Sequence, residues 1–277
     1  MIVTVNRPAP ALSSLEIEQI VACAHRMADA ARVETLRHFR RPGLDADNKL
    51  AAGFDPVTVA DRASEAAMRR VLAELRPQDA ILGEEEAAKP GTSGLTWVID
   101  PIDGTRGYLT GTPVWGVLIG LRDEAGPLYG IVDQPFIGER WEGGFGRANY
   151  QGPHGSFDLA TSVRQDLSEA RLFTTFPEVG TAQEFAGFRR VADKVKLTRY
   201  GLDCYGYMLV ASGSADLVIE AGLQSYDVLG PIAVVEAAGG VVTNWKGGSA
   251  IDGGQVLAAA NPALHRAALE LLGEAGA

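Results

Sequence analysis

Two aspartates, Asp100 and Asp103, close the apolar run Trp97-Val98-Ile99 with a proline and an isoleucine between them. Pro101 fixes its own φ and pushes Asp100 towards an extended conformation, so the spacing predicts that the strand stops here and the backbone bends. The bend would aim both carboxylates at one place. Carboxylates that close repel one another unless a cation sits between them, and hard oxygen ligands suit Mg²⁺ or Mn²⁺. The carbonyl of Ile102, at the bend, is a further candidate ligand. Gly104 permits close approach to the backbone, and Thr105 opens a predicted helical turn whose N–H groups would face an anion. Metal beside phosphate is the chemistry these residue types imply. The competing reading is a plain surface turn, since Asp, Pro and Gly are ordinary turn formers. The apolar flanks, Trp97-Val98-Ile99 before and Val114-Trp115-Gly116-Val117-Leu118-Ile119 after, weigh against it.

Three other places could add carboxylates. Ala80-Ile81-Leu82 reads as a short buried strand that breaks at Gly83 into Glu84-Glu85-Glu86. Such a run is either a solvated loop or, because it follows a strand as Asp100 does, part of a site built at neighbouring strand ends. Asp61 precedes Glu65, Met68, Val71, Leu72 and Leu75 in helical register. It is either a helix N-cap or the acceptor of a proton from Thr105. Asp227 opens the apolar segment Val228 to Gly240, as a cap or as a third carboxylate brought in from the far half of the chain to complete a two-metal site.

The elements that must position these residues alternate between helix and strand. Helical spacing runs from Ser13 to Phe39, and Leu44 to Phe54 is small and polar, a candidate flap with Lys49 poised to close on the site. Tyr129 to Pro135 and Arg140 to Gly143 alternate like antiparallel strands, with Gly126-Pro127 and Ile137-Gly138 as turns. The Gly-rich stretch from Gly143 to Gly155 reads as a loop between two halves, residues 1–150 and 151–277. Strand and helix alternate again beyond it: Arg171 to Thr175, Ala182 to Lys194, Lys196 to Tyr200, a helix from Cys204, and Ala215 to Ile219.

A chain of 277 residues, 46% hydrophobic and 22% charged, can bury a large α/β core. Its net charge of −10 argues against extended contact with nucleic acid or anionic membrane, and would repel a phosphate substrate unless bound cations reversed the local field. Cys23 and Cys204 have no metal or redox spacing and are expected to be buried thiols. No segment approaches a signal peptide or a membrane span, so a cytoplasmic protein is expected.

Three segments in order, Gly83-Glu84-Glu85, Trp97 to Thr105, and Tyr226-Asp227 leading into Glu236-Ala237-Ala238-Gly239-Gly240, give the chain its resemblance to the inositol monophosphatase superfamily of metal-dependent, lithium-sensitive phosphatases. The resemblance covers nearly the full length. It implies a layered αβαβα sandwich of the inositol monophosphatase/fructose-1,6-bisphosphatase type, usually a homodimer. Two or three Mg²⁺ ions, with Mn²⁺ as a substitute and Li⁺ as inhibitor, would be held by Glu84, Asp100, the Ile102 carbonyl, Asp103 and Asp227. Thr198 to Tyr205 and Thr112-Pro113-Val114-Trp115-Gly116 most resemble the histidinol-phosphate phosphatase branch. In that branch Asp-Gly-Thr is commonly followed by Lys and then Ala-Phe, whereas here Arg106-Gly107-Tyr108 follows.

The expected activity is therefore phosphomonoester hydrolysis by metal-activated water, with Thr105, backed by Asp61, and Glu85 orienting the water or taking its proton. Gly104 and Thr105 would hold the phosphate. Histidinol phosphate carries an ammonium and an imidazole, which Asp203 and Glu220 could pair with, while Arg199 could reach phosphate or orient an acid; an Arg199–Asp203 structural pair is the plainer alternative. Inositol 1-phosphate and 3′-phosphoadenosine 5′-phosphate are alternative substrates, and a regulatory binding protein on the same fold is the alternative of another class.

Overall fold

The computed structural model describes residues 12–48 and 56–273. Of the expected flap, residues 49–54 lie outside the described residues, Lys49 among them. Helix α1 (Ser14–His38) begins at a capping box in which Ser13 and Glu16 exchange hydrogen bonds. Strands β1 (Asp47–Asn48) and β2 (Pro56–Val57) pair antiparallel, and α2 (Val59–Leu75) follows.

A seven-stranded sheet comes next. It contains β3 (Ala80–Gly83), β4 (Thr96–Asp103), β5 (Gly116–Asp123), β6 (Gly126–Gln134), β7 (Glu139–Gly144), β8 (Arg147–Gly152) and β9 (Gly155–Asp158), in that spatial order. The short helix α3 (Thr105–Thr110) links β4 to β5. Only β3 and β4 are parallel; the rest is an antiparallel meander. Two turn expectations are corrected here. Gly126-Pro127 begins β6 rather than making the turn, and the stretch from Gly143 to Gly155 is not a loop but strands joined by tight turns, where Gly144, Gly146 and Gly155 take positive φ.

The second sheet has the order β11-β10-β12-β14-β13, built from β10 (Arg171–Thr174), β11 (Leu197–Tyr200), β12 (Leu217–Leu223), β13 (Val241–Thr243) and β14 (Gly254–Ala259). Helices α4 (Ala182–Ala192), α5 (Cys204–Ala211), α6 (Ser225–Ala237) and α7 (Pro262–Gly273) alternate with these strands.

Five layers result. Helices α1 and α2 pack together over one face of the first sheet, α5 and α6 lie between the sheets, and α4 and α7 cover the outside of the second sheet. Strand β5 shows how sequence selects the layers. Val117, Ile119 and Leu121 join the core under α1 and α2, whereas Leu118 joins the core that contains α5, α6 and the second sheet. Both faces are buried, which accounts for the near-continuous apolar run where a half-exposed strand would alternate. Helix α6 approaches its sheet backbone to backbone: a β-carbon on Gly130 would come within 2.4 Å of the Gly230 carbonyl oxygen. Among the described residues no helix is long and apolar enough to cross a membrane.

Candidate active site

Strand β4 does not stop at Asp100 as Pro101 led us to expect; it continues to Asp103 through a bulge. Asp100 lies opposite Leu118 and Asp103 opposite Gly116, so three steps along β4 match two along β5. The extra residue decides the site. Side chains alternate along a regular strand, so residues three apart would face opposite ways, and one inserted residue returns them to the same face. Proline is tolerated because the bulge asks no ladder hydrogen bond of it.

On that face Asp100, Asp103 and Asp227 each offer an oxygen, all within 4.8 Å of one another. Asp100 is 2% exposed, and its Oδ1 accepts the N–H of Ile102 at 2.9 Å. Asp103 Oδ2 accepts the N–H of Cys204, the first residue of α5, at 2.7 Å. Asp227 sits in the first turn of α6, where its Oδ2 accepts the N–H of Gln224 at 2.6 Å. The cap of α6 is Gln224, not Asp227, which is the third helical residue, bonds back to the cap and joins the acid cluster. Burial first, then the neighbouring carboxylates Glu84, Asp103 and Asp227, push the Asp100 carboxyl well above its ordinary range. Burial, Asp203 and Asp227 do the same to Asp103, against the opposing hydrogen bond from Cys204. Acids that raise one another in this way, all presenting hard oxygen, fit a divalent metal ion.

These carboxylates open into a cavity of about 380 Å³ whose lining includes Glu84, Ile102, Gly104, Thr105, Asp203 and Glu220. The loop carrying Glu84 is anchored by a residue the sequence reading passed over. Buried Glu65 of α2 accepts the N–H groups of Glu85 and Glu86 at 2.8 and 3.1 Å and is itself held by Arg69. Glu85 therefore has its backbone tied to Glu65, and it is not part of the cavity lining.

The cap of α2 is Thr58, not Asp61. Asp61 is the third helical residue, and its Oδ2 accepts both the N–H and the hydroxyl of Thr58. Its other oxygen lies 3.4 Å from the Thr105 hydroxyl, which is also 3.1 Å from the Ile102 carbonyl. Thr105 thus has two acceptors for one proton, one a buried carboxylate fixed in place by a helix cap. Gly104 takes the left-handed conformation, φ +82°, and a β-carbon there would sit 3.1 Å from the Asp203 carboxyl.

Glu220, which also lines the cavity and is 6% exposed on β12, accepts the N–H of Thr175 at 3.1 Å, the Thr175 hydroxyl, and the hydroxyl of Tyr207 at 2.8 Å. Burial, followed by Glu220, pushes Asp203 up to about 7, with Arg106 opposing. Burial also raises Glu220, against the hydrogen bonds from Thr175 and Tyr207. The structure does not bring Arg199 to this place: it is exposed on β11, the edge strand, and does not line the cavity. Phe176 and Glu178 do line it, Phe176 with the Arg106 guanidinium 5.2 Å from its ring centre. Neither they nor Tyr207 were signalled by the sequence, because no spacing along the chain links them to the acids. Cys204 is buried beside Asp103, and burial holds its thiol well above its ordinary pKa, which leaves it a poor nucleophile.

The model of the inositol monophosphatase family matches residues 16–277. The chain is 39% identical to the bifunctional phosphatase IMPL2, chloroplastic, of Arabidopsis thaliana, over 96% of this chain and 79% of that protein. It is 36% identical to a histidinol-phosphatase of Streptomyces coelicolor, over 90% of this chain and 94% of that one. Among solved structures, an inositol monophosphatase from Zymomonas mobilis superposes with a TM-score of 0.80 at 35% identity, covering 94% of this chain and 99% of that one.

Proposed function

The chain belongs to the inositol monophosphatase family and is a phosphatase of phosphomonoesters, and from that premise we propose that its substrate is histidinol phosphate and its cofactor Mg²⁺. One observation carries the choice of substrate. The cavity is lined by more acids than the cluster of Asp100, Asp103 and Asp227: Asp203, close enough to raise the Asp103 carboxyl, and Glu220 line it as well. The cluster suits a metal and a phosphate. The additional pair suits an alcohol that brings positive charge with it, as histidinol does through its ammonium group. The name of the Streptomyces relative supports the same reading.

In this reading Asp100, Asp103 and Asp227, with Glu84 and the Ile102 carbonyl, hold the Mg²⁺. Bound Mg²⁺ supplies positive charge for the phosphate and Lewis acidity for transfer of the phosphoryl group to water. Gly104 and Thr105, at the start of α3, face the phosphate. The Thr105 hydroxyl accepts a hydrogen bond from the attacking water while donating its own proton towards Asp61, whose second oxygen is occupied by Thr58. Asp61 is thereby kept an acceptor, which is what removal of a proton from water through Thr105 requires.

The runner-up is an inositol phosphate, favoured by the identity of the Zymomonas structure. The test is phosphate release from histidinol phosphate, inositol 1-phosphate and 3′-phosphoadenosine 5′-phosphate, side by side, with Mg²⁺ and with chelator. A clear kcat/KM preference for histidinol phosphate is expected. Preference for inositol 1-phosphate would leave the metal chemistry standing and overturn the substrate.

A further inference from the structure

We propose that Tyr207, together with Thr175, is a positioning residue that aims Glu220 at the cationic half of the substrate and so sets the preference for a charged alcohol. The inference rests on the substrate reading above and goes beyond it by naming residues outside the proposed metal and phosphate ligands.

Glu220 is fixed by both oxygens. Oε1 accepts the N–H and hydroxyl of Thr175, and Oε2 accepts the hydroxyl of Tyr207 at 2.8 Å. A carboxylate has about four acceptor positions, so three donors fill most of them and leave the remainder directed into the cavity that Glu220 lines. The donors come from two places, Thr175 just beyond the end of β10 and Tyr207 on α5, and meet the acceptor on β12. A carboxylate merely tolerated in the wall would need one good partner; this one has its plane and rotation set.

All three donors are neutral. Among the described residues no Lys, Arg or His forms an ion pair with Glu220, although it is 6% exposed. Buried carboxylates ordinarily acquire a cationic partner, and a wall that supplies donors while withholding the counter-charge leaves that charge to be brought in. Tyr207 is 2% exposed, and burial pushes its phenol pKa up, so it stays a donor and cannot itself take a proton from Glu220. A buried tyrosine hydroxyl needs some partner, and a role limited to satisfying that need would leave substrate choice untouched. The test turns on this distinction.

The experiment compares kcat and KM for histidinol phosphate and for glycerol 2-phosphate, whose alcohol is neutral, in the wild type and in Tyr207→Phe, with thermal unfolding as the control for folding. The ratio of kcat/KM values, cationic over neutral, is expected to fall about 10-fold in the variant, the worth of one hydrogen bond to a charged group, with the loss on KM rather than kcat. A high wild-type ratio that Tyr207→Phe leaves untouched, or equal losses for both substrates, overturns the positioning role alone. A wild-type ratio near one overturns the substrate reading and this inference with it. If Tyr207→Phe does not fold, Thr175→Val, which removes one donor from the other oxygen, is held to the same comparison.

Discussion

The Oδ2 atom of Asp103 accepts the backbone N–H of Cys204 at 2.7 Å, joining the bulged end of β4 to the first residue of α5. Asparagine at position 103 can still accept that N–H through its amide oxygen but loses the charge a cation needs. Asp103→Asn is therefore expected to keep its fold and to lose kcat/KM by about 100-fold or more, since even partners of metal ligands are worth 10- to 100-fold. Circular dichroism and phosphate release check both halves of the expectation; near-normal turnover would remove Asp103 from the metal site.

Without metal, stability should fall as pH rises. Asp203 is raised from 3.8 to about 7 in the folded protein, so between those values the folded chain binds more protons than the unfolded chain. Stability then declines with increasing pH. Asp100 and Asp103, raised well above the same ordinary value, act in the same direction. Melting temperatures in chelator are expected to drop from about pH 5 to about pH 8, and saturating Mg²⁺ to flatten the slope. An equal slope with and without Mg²⁺ would mean that the cation does not sit among these acids.

A β-carbon at position 83 would come within 2.1 Å of Glu65 Oε1. Glu65 cannot yield cheaply, being buried and held by Arg69 and by two backbone N–H groups. Gly83→Ala should cost about 1–3 kcal/mol as an overpacked site and displace Glu84, weakening Mg²⁺ binding. Denaturant unfolding and metal titration would show both effects; tight Mg²⁺ binding in a destabilised variant would separate Glu84 from the metal.

Thr105→Ala removes the hydroxyl placed between Ile102 and Asp61. The expected loss in kcat is about 100-fold or more, the usual range for a proton-transfer group, with Thr105→Ser restoring most of it. A serine variant as inactive as the alanine one would point to the threonine methyl, and so to packing.

Arg199→Ala should change kcat/KM by no more than about 2-fold, as for other exposed substitutions away from a site, because the side chain is exposed on the edge strand β11. A large loss would mean that Arg199 works on a second copy of the chain, which concentration-dependent activity would reveal.

The sequence was most readable where local chemistry and burial agree. Helical spacing from Ser13 marks the start of α1, and the apolar run of β5 follows from a strand covered on both faces. The acids were found for the same reason: Asp100, Asp103, Glu84 and Asp227 all end or begin apolar elements. What could not be read depends on partners distant along the chain. Nothing in the spacing of Glu65 foretells its hold on Glu85 and Glu86, nor does that of Tyr207 foretell Glu220. Pro101 was read as a strand stop because its own geometry favours one; pairing with β5 turned it into a bulge instead. Arg199 is expected at the site as a cation for phosphate or an acid, and the edge strand β11 leaves it exposed outside the cavity lining.

The glycine contacts of α6 carry a consequence for how this enzyme can change over time. Gly120, Gly130 and Gly143 lie on three successive strands, and a β-carbon on any of them would strike Leu229, Gly230 or Val234 of that helix within 3 Å. The same helix holds Asp227 at its first turn. A saturation screen for lost activity should therefore return two separate sets of positions, one around the cavity and one a diagonal of glycines beneath α6. The second set would look functional in any map of tolerated substitutions while touching nothing that reacts. Phe176, Glu178 and Arg106 line the cavity and are met by none of these three glycines, so variation there is expected to reach the substrate without pressing on the helix that carries Asp227.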